Sequence, residues 1–414
     1  MKHLAQGAPG STALCCAAHV LSMLGFSLYA ALLPMLQQQW ALSNAEAGYV
    51  GGMALGGYML AVPWLSALTD RVDARHVYAV SAACSALGGV LFAVLADGVW
   101  TAALAQTLIG AGMAGTYMPG LRVLTLSLTQ PGAGRQRAGA SPQVVSRAVA
   151  FYTASFGVGM ALSLLWAQWW SDAFGWRAAF ASAIVGPLLA GSLVLWRFAP
   201  QPPSSGDAEA GSLLGVRRVW GNRAARAYIL GYAAHSWELF GSRTWMVAFL
   251  SFASTVSANS GAPWPVTAVA IAALGQLVMP PSSILGNELS IRYGRWPVIR
   301  FAMAVSGALS CALGFLTDVS WIWLTILVCV HFLLLNADSG AMTAGVLQVA
   351  AGRYAGRTLA LYSMLGFAAG FVAPFMFGLV LDFAGGHMQA QAWGWAYFTL
   401  GVVVLLASTL LRSR

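Results

Sequence analysis

AEAGYVGGMALGGYMLAVPWLSALTDRVDAR, residues 45–75, is the stretch whose reading decides the fold. Ala45–Leu68 is apolar and of helix length; Asp70-Arg71-Val72-Asp73-Ala74-Arg75 is a charged turn. At 1.5 Å per residue, such a run crosses a hydrocarbon layer of about 30 Å. A helix satisfies its backbone hydrogen bonds internally, which lipid demands.

The same alternation extends both ways. Apolar runs are predicted over Ala13–Leu36, Ala45–Leu68, Val77–Leu95, Trp100–Leu126, Ala148–Trp170 and Arg177–Arg197. A polar stretch, Pro200–Asn222, contains QPPSSGDAEAGS and has linker composition. Six more runs follow: Ala225–Phe252, Pro265–Leu289, Val298–Leu316, Trp321–Leu347, Thr358–Phe383 and Trp393–Leu411. The expected fold is an all-α membrane protein of twelve transmembrane helices in two six-helix bundles. The expected organisation is 1–199, a cytoplasmic linker 200–222, and 223–414.

Composition agrees. Of 414 residues, 59% are hydrophobic and 8% charged, too little charge for a soluble chain of this size. The net charge of +9 does not indicate nucleic acid, because the basic residues fall in loops on one side. Cys15, Cys16, Cys84, Cys311 and Cys329 all lie in apolar runs without metal-site spacing, so neither a disulfide framework nor a zinc site is expected. The first run shows no small-residue cleavage site and is expected to be a span.

With the amino terminus inside, Lys2 and seventeen of the twenty arginines fall on the cytoplasmic side, among them Arg71, Arg75, Arg147, Arg217, Arg218, Arg292, Arg295 and Arg357. Arg122, Arg177 and Arg243 fall elsewhere. The opposite segments Gln37–Asn44 and Thr255–Trp264 carry no Lys or Arg. Both termini are therefore expected in the cytoplasm of a bacterial cell, the protein in its inner membrane.

The halves echo each other. Asp70-Arg71-Val72-Asp73-Ala74-Arg75 after span two answers to Ile291-Arg292-Tyr293-Gly294-Arg295-Trp296 after span eight. Arg147-Ala148-Val149-Ala150-Phe151-Tyr152 before span five answers to Arg357-Thr358-Leu359-Ala360-Leu361-Tyr362 before span eleven. Gly175-Trp176-Arg177 answers to Gly394-Trp395-Ala396.

On these residues the chain resembles the major facilitator superfamily over essentially its full length. The family signature after spans two and eight is G-x-x-x-D-R-x-G-R-R/K. The first copy keeps Asp70, Arg71 and Arg75, with Ser66 and Asp73 at the glycines. The second keeps Arg292, Gly294 and Arg295, with Ile291 for the acid. The resemblance implies a cytoplasmic gate made by Asp70, Arg71, Arg75, Arg292 and Arg295, Asp70 facing the amino-terminal end of span eleven. The alternative is that these arginines only hold the loops inside. Span four has Gly110, Gly112, Gly115 and Pro119-Gly120 but Gln106 where the family motif has arginine. Small residues there also serve close helix packing. The family's G-P-x-x-G-G antiporter pattern is missing from span five.

Ionisable groups inside spans are expensive and point to function. Span seven holds His235, Glu238 and Arg243; span ten holds His331, Asn336 and Asp338. His235, Glu238 and His331 are expected to form a titratable midplane cluster, since histidine titrates near neutrality. The competing structural reading is that Glu238 pairs with a histidine and only ties helices. Arg243 is a candidate for a substrate oxyanion, and Arg122 for a snorkelling or gate residue. Tyr29, Tyr117, Tyr152, Trp237, Trp245 and Tyr362 are candidate cavity aromatics, or else lipid-facing ones.

No P-loop lysine motif, metal cluster or nucleophile triad is evident, so no cofactor, no metal and no enzyme activity are expected. The expectation is a monomeric, proton-coupled secondary transporter for a small organic solute, an anionic one among the candidates, with the bilayer as its other partner. An exporter of amphipathic compounds is the alternative, and a transport-like receptor or membrane enzyme the remote one.

Overall fold

The computed structural model describes residues 8–129, 140–200, 213–256, 267–350 and 355–411. Most of the expected linker, the Thr255–Trp264 loop beyond Val256, and Lys2, Arg135, Arg137, Arg353, Arg412 and Arg414 lie outside the described residues.

Every described element is a helix. Span one is split into α1 (Ala8–Ser22) and α2 (Leu28–Gln39). Then come α3 (Asn44–Leu68), α4 (Ala74–Leu95), α5 (Val99–Thr129) and α6 (Pro142–Phe174), with span six divided into α7 (Trp176–Ala183) and α8 (Val185–Arg197). A short helix, α9 (Leu213–Gly221), precedes α10 (Arg223–Val256), α11 (Ala268–Tyr293) and α12 (Arg295–Leu313). Span ten is broken into α13 (Trp321–Asn336) and α14 (Ser339–Val349), followed by α15 (Ala355–Phe383) and α16 (Ala390–Leu410). The twelve expected spans are present, in two sets of six.

Local chemistry sets the ends. Asp73 caps α4, its Oδ1 accepting from the Arg75 N–H at 3.0 Å. Ser141 caps α6 with Pro142 in the first turn, and Thr267 caps α11. Gly294 links α11 to α12 at φ 92°, a left-handed conformation that favours glycine. The two signature copies thus turn differently. One uses a side-chain cap at Asp73, the other a left-handed glycine.

The break in span one has an identifiable partner. Breaking a helix frees a carbonyl and an amide that lipid cannot satisfy. Ser163 of α6 serves both: its hydroxyl donates to the Leu24 carbonyl at 2.7 Å and accepts from the Ser27 N–H at 2.9 Å.

Nine spans among the described residues are long and apolar enough to cross a membrane by length and composition. Neither α5 nor α10 is in that set, and α10 carries the three ionisable groups of span seven. Large apolar side chains also face outward, as Trp64 (79% exposed) and Trp100 (78%) do, which suits a lipid surround.

The chain packs as two compact units. One comprises residues 1–28, 57–96 and 104–208, and its core includes Ala18, Tyr78, Val123, Leu124, Tyr152 and Val194. The other comprises 29–56, 97–103 and 209–414, with Ile229, Met303, Met342, Tyr362 and Val404 in its core. Segments 29–56 and 97–103 precede the linker in sequence yet pack in the second unit.

Candidate functional site

Within the second unit, α10 presents His235 and Glu238 one turn apart, both almost fully buried. They do not share a partner. Glu238 Oε1 meets His331 Nε2 at 3.3 Å, and Glu238 Oε2 accepts from the Ser306 hydroxyl of α12 at 3.0 Å. His235 Nδ1 lies 2.8 Å from Asp338 Oδ1. That approach is close but not aligned as a hydrogen bond. The site is two crossed carboxylate–imidazole pairs, not one cluster of His235, Glu238 and His331.

The break in span ten explains the crossing. His331 and Asp338 are seven residues apart, about 10 Å along a continuous helix, whereas His235 and Glu238 span only about 4.5 Å. Ending α13 at Asn336 and starting α14 at Ser339 places Asp338 in the gap. There it reaches His235 while His331 reaches Glu238. A buried charge left without its partner is costly, so each pair holds the other member in place. His331 Nδ1 is buried without a hydrogen-bond partner among the described residues. Tyr232 stacks on His235 at 5.9 Å and on Tyr362 at 4.0 Å, walling the lower pair with aromatic rings.

Arg243 and Asn336 converge on Met279 of α11, which is followed by Pro280-Pro281. Arg243 Nη2 lies 3.2 Å from the Met279 sulfur, and Asn336 Nδ2 donates to the Met279 carbonyl at 2.7 Å. The guanidinium also sits 5.5 Å from the Phe240 ring centre, a cation–π distance. Arg243 is about one turn and a half beyond Glu238 on α10.

The remaining candidates sit apart from these pairs. Trp245 is fully buried, its indole donating to the Pro374 carbonyl at 2.9 Å and stacking on Phe377 at 5.4 Å. The Tyr29 hydroxyl donates to the Ala47 carbonyl at 2.9 Å.

At the signature turn, in the first unit, Asp70 pairs with Arg122 at 2.6 Å, and Arg122 also donates to the Thr69 hydroxyl at 2.9 Å. Arg75 forks onto Asp73 at 2.7 Å and caps the end of α8 through the Phe198 carbonyl at 2.7 Å. Arg71 and Arg292 are exposed, Arg292 lying over Tyr293, and Arg295 approaches the Ala341 carbonyl at 3.4 Å.

Three groups were missed. His19 of α1 is fully buried, 2.8 Å from the Ser155 hydroxyl and stacked on Tyr152 at 4.6 Å. It is an ionisable residue inside a span, the same signal that singled out His235 and His331. Ser306 and Asp382 had no local signal, since their partners lie far along the chain.

An all-helical chain of twelve spans with buried carboxylate–imidazole pairs between spans seven and ten defines a polytopic membrane protein. The chain belongs to the Major Facilitator Superfamily, whose family model matches residues 15–374. This is a family of transporters, not of enzymes. The chain is similar to a "Probable 4-methylmuconolactone transporter" of Cupriavidus pinatubonensis (strain JMP 134 / LMG 1197), 26% identical over 184 residues, 42% of this chain and 39% of that one. It is also similar to "Inner membrane transport protein YnfM" of Escherichia coli (strain K12), 23% identical over 66% of this chain and 61% of that one. The matches thus span less than two thirds of either relative. Among solved structures, the nucleoside transporter NupG superposes with a TM-score of 0.73 at 14% identity, covering 96% of this chain and 98% of that one. A POT family transporter in complex with 5-aminolevulinic acid gives 0.74 at 10% identity, covering 96% and 94%. At these identities the likeness is one of fold.

Proposed function

We propose that the chain is a proton-coupled secondary transporter that moves a small organic solute, anionic in at least one form, across the bacterial inner membrane by alternating access. The observation that carries this reading is the pairing of Glu238 with His331, both buried, on helices that face each other in the second unit. The pair sets a carboxyl group against an imidazole inside the spans, the two group types from which proton relays in membrane proteins are built. Any motion that admits water to the pair changes which form is favoured. His235–Asp338 offers a second such site on the same helix. Arg243, close to both in chain position, supplies the positive group an anionic solute needs. The Asp70–Arg122 pair is assigned to the cytoplasmic gate with Arg71, Arg75, Arg292 and Arg295, and both termini to the cytoplasm.

The relative named for 4-methylmuconolactone makes that compound the first one to test, with 5-aminolevulinic acid second. Thermal-shift measurements on the purified protein against these and a panel of small organic acids identify the solute, because a ligand stabilises the state it binds. Uptake of that solute into proteoliposomes is then expected to require a proton gradient and to collapse with an uncoupler. Accumulation that persists without the gradient contradicts the coupling.

A further inference from the structure

At one end of the second unit, α3 and α15 are joined by a carboxylate that one helix lends to the other. A helix leaves its first N–H groups without intrahelical acceptors. Ser43 and Glu46 form a capping box at the start of α3: the Ser43 hydroxyl accepts from the Glu46 N–H at 3.2 Å, and Glu46 Oε2 accepts from the Ser43 N–H at 2.9 Å. This box leaves the N–H groups of Asn44 and Ala45 over. Asp382, one residue before the end of α15, takes both, at 3.0 Å on Oδ1 and 2.8 Å on Oδ2. Its Oδ1 also accepts from the Asn44 side chain at 2.7 Å. The remaining Asn44 oxygen accepts from Gln37 Nε2 at 2.7 Å and faces His387 Nδ1 at 2.9 Å.

The cap closes a seam of backbone contacts. Gly48, Gly52 and Gly56 repeat every four residues along one face of α3. A Cβ at Gly48 or Gly52 would run into the carbonyl oxygen of Pro374 or Phe371, and one at Gly56 would touch the Phe371 ring at 3.3 Å. On α15, a Cβ at Gly378 would meet the Asn44 carbonyl. The seam itself is dispersion between close backbones, which either side can release without leaving a polar group unpaired. The directional, charge-assisted bonds from Asp382 sit at its end, where water can replace them.

We propose that Asp382 is a latch: it holds the start of α3 to the end of α15 on the membrane face opposite the linker, and its release accompanies opening of the solute path to that face. The placement follows from helix alternation, since α3 begins on the face opposite the one where α8 runs into the linker. The latch rests on the transporter reading only for the path that it closes. The separation of α3 from α15 is a property of the protein without solute or gradient.

The test is a distance distribution between spin labels at Gln39→Cys and Met388→Cys, exposed positions flanking the two helix ends, in a background without the five native cysteines. The protein is reconstituted in proteoliposomes without solute. The unaltered latch is expected to give a dominant short distance. Asp382→Ala is expected to raise the separated population several-fold, and Asp382→Asn, which keeps one acceptor, to fall between. Asn44→Ala, which leaves both backbone N–H groups in place, is expected to have a smaller effect than Asp382→Ala. Unchanged distributions in Asp382→Ala and Asp382→Asn overturn the latch, whatever the transport assays show. Absence of proton coupling in the unaltered protein, with the distance shift in Asp382→Ala intact, overturns the functional reading and leaves the latch standing.

Discussion

Glu238 on α10 and His331 on α13 meet at 3.3 Å, both side chains buried, while one turn away His235 faces Asp338 at 2.8 Å with the charge types reversed. The alternation means that neither span carries the acids alone: α10 offers one acid and one imidazole, and span ten answers with His331 on α13 and Asp338 in the gap before α14, so the two spans are joined at both levels.

The lower pair is expected to be structurally demanding. Asp338→Ala leaves His235 buried without its partner, and a buried polar group left unsatisfied costs about 1–3 kcal/mol. The unfolding midpoint in detergent is expected to fall by several degrees. Adding His235→Ala to it is expected to cost less than the sum of the single changes. Strictly additive losses would show that the two side chains do not act together.

Ser163 is expected to matter more than an ordinary hydroxyl, because it serves both sides of the break in span one. Ser163→Ala leaves a carbonyl and an amide unsatisfied, at about 1–3 kcal/mol each. Ser163→Thr keeps the hydroxyl. A midpoint lowered by several degrees in the alanine variant and less in the threonine variant is the expected result. Equal effects would mean that packing, not hydrogen bonding, holds the break.

The architecture was legible because lipid imposes it: runs such as Ala45–Leu68 must be helices, and arginine placement follows the loops. The breaks were not legible. Gly25 and the run Asn336-Ala337-Asp338-Ser339-Gly340 are weak helix formers, but small and polar residues also occur inside continuous membrane helices, and the group that stabilises the first break, Ser163, sits 139 residues from Leu24. The site residues of α10 and α13 were legible as costly charges in apolar runs. Their partners were not, since the pairing depends on the gap at Asp338. Asp73 illustrates a further limit: it departs from the family's glycine, yet it completes the turn by capping α4.

The gate at the signature turn is expected to affect rate more than affinity. Asp70 and Arg122 are partly exposed, at 34% and 23% of side-chain area, so their pair is worth at most about 1 kcal/mol. Asp70→Asn is expected to slow transport several-fold while leaving solute affinity within a few-fold. Abolished binding in a folded Asp70→Asn protein would remove the gate role.

His387, in the loop after α15, is expected to make the α3–α15 cap sensitive to acid. Burial pulls its pKa below the ordinary 6.5, and Asp382 partly opposes this. Its other neighbours, Gln37 of α2 and Asn44 of α3, are uncharged, and Glu46 is engaged with Ser43. The capped state therefore binds this proton less readily than an exposed histidine does. The cap is at full strength above about pH 6.5 and weakens as pH falls through the lowered value. The separated population between labels at 39 and 388 is expected to grow on acidification, and to stop doing so in His387→Gln. Growth that survives that substitution would place the sensor elsewhere.

Orientation is tested by Ser205→Cys in the cysteine-free background. The linker is expected to be cytoplasmic, so an impermeant thiol reagent is expected to label it only after permeabilisation. Strong labelling in intact cells would invert the topology.

The central claim is that Glu238 carries the coupling proton, and Glu238→Gln in proteoliposomes tests it most directly. Glutamine keeps the shape and the Ser306 contact but cannot titrate. Counterflow exchange of the identified solute is expected to persist, while accumulation driven by an imposed proton gradient is lost together with its pH dependence. Full gradient-driven accumulation by Glu238→Gln, with the pH dependence of the unaltered protein, would contradict the account and leave Glu238–His331 as a tie between helices.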